Sequence, residues 1–283
     1  MNLKGEPVRV GHFCGASNYE ITGEAVQSYI NALDDQDPLY GQYAPPLLHH
    51  SECFKYLQEW YLPNLVGNLH GQQDWELFAP IPIGGSVRTL STVVARFSKR
   101  GRDYVVNETD LYDAASGALL VRGRTYQSFL QANQEGDGKA ATVHKKPERP
   151  PFPTATGRDL ASVGKLVDER RCWLFSGPGK NYHNDREEAR KLGFPNIVVQ
   201  GMMSTCFVSE LMQQAFGLGW LAGGAMSLKL TNVLWVDEEV ETFGKVREEV
   251  REGDRTRVHC EVWVDKGDGT RIALGSASAL AES

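Results

Sequence analysis

An internal repeat constrains this chain more than any other feature. Tyr112-Asp113, Gly117 and Gly123 recur as Val264-Asp265, Gly269 and Gly275, so positions 113, 117 and 123 all move by 152 residues. Gly101 maps onto Gly253 by the same offset, and Val87 onto Val240 by 153. An offset held over about 37 residues is the mark of two copies of one supersecondary unit. The alternative is two unrelated α+β domains that share hairpin turn chemistry.

Each copy reads as helical pattern followed by strands. Ile21–Leu33 predicts a helix with Thr22 as N-cap. After Ala44-Pro45-Pro46, the apolar stretch Leu47–Leu62 predicts a long buried helix. From Trp75 the period changes to two. Val87–Phe97, Tyr104–Tyr112 and Ala118–Leu130 read as strands, with turns at Gly101-Arg102 and Ala115-Ser116-Gly117. Gln131–Arg158 turns polar and rich in Gly, Lys and Pro, the composition of a linker. In the second half, Arg186–Leu192 predicts a short helix capped by Asp185, with Glu188 three residues on and Gly193 as its stop. Met202–Phe216 predicts a longer apolar helix. Strands are expected at Met226–Trp235, Glu239–Val250, Arg255–Val264 and Arg271–Ala281.

A helix apolar on most faces must be wrapped, and a long curved antiparallel sheet does this. Two such units can pair edge to edge and so protect their edge strands. The expected fold class is α+β. The division is a unit over residues 1–132, a linker over 133–158 and a second unit over 159–283. A site at the seam would draw on both halves, and a long slot there would suit an extended ligand.

Composition narrows the partners. The net charge is −6, from 30 basic and 36 acidic residues, without the basic excess of a nucleic-acid binder. The one basic cluster, Lys145-Lys146 with Arg149, falls in the Pro-rich linker. Cysteines 14, 53, 172, 206 and 260 are odd in number and form no C-x-x-C pair, against both a disulfide framework and a zinc site. They fit a reducing compartment. The longest near-apolar run, Phe216–Met226, has 11 residues, where a bilayer span takes about 20. Met1–Gly11 lacks the apolar core of a signal peptide. A cytoplasmic protein with no membrane or nucleic-acid partner is expected.

Several local patterns carry no chemistry. Asp34-Asp35-x-Asp37 lacks the Gly and Glu of a calcium loop. Gly217-x-Gly219-x-x-Ala222 ends a helix instead of following a strand, so it is no dinucleotide fingerprint. His49-His50 suits a local hydrogen-bonding role, and Cys206 suits an inert core thiol.

One set of motifs does point to chemistry. It comprises Phe175-Ser176-Gly177, His183-Asn184-Asp185, Ala189–Pro195 and Gln200-Gly201-Met202. It resembles the signature of the MaoC-like, hot-dog-fold (R)-specific enoyl-CoA hydratases: Ser-Gly-Asp-x-Asn-Pro-x-His-x-Asp, a short helix, Gly-Phe-Pro and His-Gly-Met. The first half resembles the family more loosely, at Ala32–Tyr40, Ala44-Pro45-Pro46 and His70–Trp75.

The resemblance implies a double hot dog and an acyl-thioester lyase. Such an enzyme hydrates a trans-2-enoyl thioester or dehydrates a 3-hydroxyacyl thioester. In that chemistry a carboxylate and an imidazole flank a water, and backbone N–H groups polarise the thioester carbonyl. His183 falls on the family histidine, Gly201 on the oxyanion-hole glycine and Ser209 on a supporting hydroxyl. Asn181 is a candidate catalytic group, and Lys180 and Tyr182 are candidate substrate contacts. The resemblance implies no metal and no cofactor beyond coenzyme A as part of the substrate, and a homodimer or higher homo-oligomer. The chain departs from the family at Pro178, which stands where the acid belongs, and at Lys180-Asn181, which replaces Asn-Pro. In the first half Asp35 is present, but Tyr40 stands where the histidine belongs, so that half reads as degenerate. The departures leave two alternatives. One is a different proton transfer by His183 and Asn181, such as isomerisation, cyclisation or retro-aldol-type cleavage. The other is a non-catalytic acyl-binding or partner subunit.

Overall fold

The computed structural model describes residues 8–62, 67–131 and 157–281; most of the expected linker lies outside them. In the first half the elements run β1 (Phe13–Glu20), α1 (Gly23–Leu33), β2 (Tyr43–Ala44), α2 (Leu57–Trp60), β3 (Leu69–Leu77), β4 (Ile81–Pro82), β5 (Ser86–Lys99), β6 (Arg102–Asp113) and β7 (Leu119–Leu130). In the second they run β8 (Val163–Val167), α3 (Glu169–Ser176), α4 (Arg186–Lys191), α5 (Gly201–Phe216), α6 (Leu218–Leu221), β9 (Ala225–Leu230), β10 (Glu238–Glu252), β11 (Arg255–Lys266) and β12 (Arg271–Leu280). Among the described residues no helix is long and apolar enough to cross a membrane.

The repeat becomes a symmetry of the sheet. Ten strands pair in the order β1-β5-β6-β7-β3-β9-β12-β11-β10-β8, which follows one plan read from either end. The β5–β6 register shifts between Val93 and Ala95, and the β10–β11 register shifts between Val246 and Glu248. The same bulge therefore stands in both copies. The halves join through β3 and β9, antiparallel from Gln72↔Lys229 to Glu76↔Ala225. The expected continuous sheet is present, and pairing at the seam removes the edge each half would otherwise expose.

Helix α5 runs inside the second half. Met202 through Gln213 are all buried, so no face of these turns is free for solvent, and strands wrap it as a helix apolar all round requires. Gly217, at φ 48°, ends it. Two shorter helices form where capping chemistry predicts them. Thr22 accepts from Ala25 N at 3.1 Å at the start of α1. Asp185 accepts from Glu187 N and Glu188 N at the start of α4.

The first half departs from expectation. Leu47–Leu62 is not one long helix but a 3-10 turn over His50–Phe54 followed by the single turn of α2. Side chains take carbonyls that a helix would use: the His50 Nδ1 lies 3.3 Å from Leu47 O, and Asn107 Nδ2 donates to Cys53 O at 3.4 Å. The apolar pattern reflected burial on several sides, not a helical stripe. A second difference is smaller: β9 stops at Leu230 instead of reaching Trp235, because Thr231 and Asn232 donate their side chains to Arg271 O.

Polar contacts tie α1 to the second half. Asp34, in the left-handed region at φ 54°, caps α1. Its side chain accepts from Arg171 at 2.8 Å, and its carbonyl accepts from Lys165 Nζ at 2.8 Å. Lys165 also meets the buried Glu210 carboxylate at 2.7 Å.

Candidate active site

The loop from Ser176 to Asp185 is held by its own amides. Asn181 Nδ2 donates to Ser176 O at 2.9 Å and Gly179 O at 3.0 Å, while its Oδ1 accepts from His183 N at 2.9 Å. Asn184, buried, accepts from Asn181 N at 2.8 Å and donates to Gly179 O at 2.9 Å. This lattice fixes His183, whose Nδ1 lies 2.7 Å from Val198 O. A carbonyl can only accept, so Nδ1 carries the hydrogen and Nε2 is left with its lone pair. Burial holds the imidazole below its ordinary pKa, which keeps it neutral at pH 7 and able to take a proton.

Nearby, the two halves enclose a cleft of about 390 Å³. Tyr182, His183 and Phe194 come from the loop side, and Gly201 and Ser204 from the start of α5. The first half adds Phe54, Leu57, Tyr61 and His70, and Leu230 and Leu234 also line the cleft. The missing first-half helix matters here, since the irregular 50–61 segment forms one wall. Gln200 supplies no side-chain cap to α5, and among the described residues nothing accepts from the Gly201 N–H. A helix N-terminus with a free N–H favours negative charge. A Cβ at Gly201 would stand 2.5 Å from Leu230 Cδ1 and 3.7 Å from His70 Nδ1, so glycine leaves this end of the helix open. Burial also raises the pKa of Tyr61 to about 12 and that of Tyr182 above its usual value, so both remain phenols. A more open depression of about 510 Å³ lies over β8 and β10, lined by Lys165, Glu239, Glu241, Asp265 and Lys266 among others. Among the described residues no histidine lines it.

The structure therefore brings Tyr182, His183 and Gly201 together and leaves three other expected residues out. Asn181 is spent on the loop backbone. Lys180 points to solvent and pairs with Asp185 at 2.8 Å. Ser209 lies two turns into α5, where its Oγ accepts from Trp220 Nε1 at 3.0 Å; Ser204, one turn from Gly201, is the serine that lines the cleft. Ser209→Ala should thus cost about 1–3 kcal/mol of stability by orphaning a buried indole N–H. Chemical denaturation checks this, with kcat expected to stay near wild type. Asp35 and Tyr40 bond to each other, Tyr40 OH donating to Asp35 Oδ2 at 2.6 Å, and both are buried away from the cleft. Sequence reasoning gave no role to His70, although it lies inside the His70–Trp75 string.

No family model matches the chain. The peroxisomal enoyl-CoA hydratase 2 of Arabidopsis thaliana is 28% identical over 160 residues, covering 52% of this chain and 48% of that protein. The chain spans about half or less of the length of the curated relatives it matches. Among solved structures, a MaoC-like dehydratase superposes with a TM-score of 0.75 over 97% of this chain and 98% of its own, at 16% identity. A conserved hypothetical protein from Mycobacterium tuberculosis with a double hot-dog fold gives 0.62 over 97% and 96%, at 12% identity. Together with the sheet order, these likenesses identify the fold as an α+β double hot dog.

Proposed function

We propose that the chain is an acyl-thioester lyase, adding water to a trans-2-enoyl thioester or removing it from a 3-hydroxyacyl thioester, with coenzyme A as the carrier. One observation carries the reading: the bare Nε2 of His183 and the free N–H of Gly201 open on the same apolar cleft. The thioester oxygen accepts from Gly201 N–H, where the helix end stabilises the charge it gains. His183 Nε2 takes a proton from water as the oxygen adds to C3, and the same nitrogen returns a proton to C2. Tyr182 and the apolar walls hold the acyl chain. The reaction needs neither a metal nor a redox group. The likeness to enoyl-CoA hydratase 2 supports the same substrate class.

Crotonyl-CoA and longer enoyl-CoAs, followed by loss of enoyl absorbance, test the reading. Turnover is expected on at least one chain length, and none on any length overturns it. The absence of carboxylates among the described cleft residues favours a second reading. One base suffices to move a proton between C2 and C4, so the chain could isomerise a double bond without adding water. Product analysis for incorporated solvent oxygen separates the two.

A further inference from the structure

Two imidazoles open on the cleft, and the second comes from the first half of the chain. The pairing of β3 with β7 runs His70↔Gln127 and then Gln72↔Tyr126, so Gly71 is an extra residue in a β-bulge. In a regular strand, residues three apart point to opposite faces. The bulge turns His70 onto the face of Gln73, and its Nε2 lies 3.2 Å from Gln73 Oε1.

The tautomer follows from the neighbours. Gln73 Nε2 donates to Asp74 O at 3.2 Å, and Gln73 Oε1 accepts from Thr125 Oγ1 at 2.9 Å. With its amide held that way round, Gln73 offers His70 only an acceptor. His70 Nε2 therefore carries the hydrogen, and Nδ1 keeps its lone pair. That nitrogen borders Gly201, 3.7 Å from where a Cβ would stand. Burial, with His183 close by, lowers the His70 pKa to about 4, so the ring is neutral at ordinary pH. Phe54 packs edge-on against it, with ring centroids 5.5 Å apart. The two histidines are the only strong side-chain bases among the described residues of the cleft.

We propose that His70 Nδ1 holds the attacking water, accepting one of its hydrogens while His183 Nε2 takes the other. This rests on the lyase reading above. A water bound through one hydrogen can still rotate, whereas two acceptors fix the direction of its lone pair toward C3. In the step, a water O–H bond breaks and its proton passes to His183 Nε2. The oxygen bonds to C3, and the C2=C3 electron pair moves to the thioester oxygen on Gly201 N–H. The enolate then takes the proton from His183 at C2. His70 neither gains nor loses a proton; it is a positioning residue for the reacting water.

The test uses two variants and one spectrum. His70→Gln reaches the Nε2 position and keeps a donor for Gln73, but removes the Nδ1 acceptor. His70→Asn places an amide oxygen near Nδ1. With enoyl-CoA, His70→Gln should lower kcat at least about tenfold with KM little changed, and His70→Asn should recover part of the loss. Nitrogen-15 correlation spectra of the unliganded protein should show His70 as the Nε2–H tautomer. An Nδ1–H tautomer, a wild-type kcat in His70→Gln, or an effect confined to KM would overturn the assignment while leaving the lyase reading standing. Wild-type protein that hydrates no enoyl-CoA sinks the lyase reading and the water-holding role with it, whatever the tautomer.

Discussion

His183→Ala should lower kcat on enoyl-CoA by at least about 10²-fold, or about 2.7 kcal/mol of barrier, the low end for removing a general acid–base group. Alanine alone is ambiguous, because the ring also tethers the loop through Val198 O. His183→Asn resolves this. Its side-chain amide can donate to Val198 O from near the Nδ1 position, while no base remains at Nε2. Both variants should be inactive to a similar degree, with His183→Asn closer to wild type in thermal stability. Near-normal turnover in His183→Asn would show that the imidazole only holds the loop. The pH dependence carries the same sign. The base must be neutral, and burial lowers its pKa, so kcat/KM should stay flat down to about pH 6.5, the ordinary imidazole value. It should fall only on further acidification. A fall that begins above that value would point to a titrating group other than His183.

How much of this was readable in the sequence depended on which physical constraint wrote it there. Turn glycines recur because each copy needs the left-handed region at the same hairpin: Gly101 and Gly253 have φ 72° and 63°, and Gly117 and Gly269 have φ 72° and 80°. Such positions leave a local mark, and so does the Asp185 cap. The central helix of the second half was legible because α5 is one long apolar run, buried on nearly every face and stopped by Gly217. The run at 47–62 misled because burial alone does not fix a period. The site was legible only in part. His183 and Gly201 sit in a local motif, and both reach the cleft. Asn181 lies in the same loop, but the sequence does not show that both ends of its amide are taken by loop backbone. His70 depended on a bulge, which changes the face of a side chain without changing its spacing. Ser204 and Ser209 differ by five residues, and only the packing of Trp220 shows which one is free.

The largest structural effect is expected at a glycine whose repeat has a different cause. Gly123 and Gly275 share the 152-residue offset but have no positive φ, so freedom of conformation does not explain them. Each lies in the strand that flanks the seam: Gly123 pairs with Trp75 of β3, and Gly275 with Leu228 of β9. A Cβ on Gly275 would overlap the carbonyl oxygen of Ser227 and stand 2.9 Å from its carbon. A Cβ on Gly123 would stand 2.6 Å from Cζ3 of the fully buried Trp75 ring. The backbone at Ser227 is fixed by pairing on both sides, to β12 and to β3, so it cannot yield without opening the seam. Gly275→Ala should therefore cost roughly 3 kcal/mol or more, above the usual range for overpacking, whereas Gly123→Ala should cost about 1–3 kcal/mol, since a ring can tilt. Urea denaturation of the two variants gives the comparison directly. The same strain should reach the site, because β3 carries His70 at its start and β9 ends at Leu230, and both residues border Gly201. Turnover in Gly275→Ala should accordingly fall under conditions where the protein is still folded. If both variants melt within about 0.5 kcal/mol of wild type, as ordinary surface changes do, the seam has room to spare and close approach does not explain the repeated glycine.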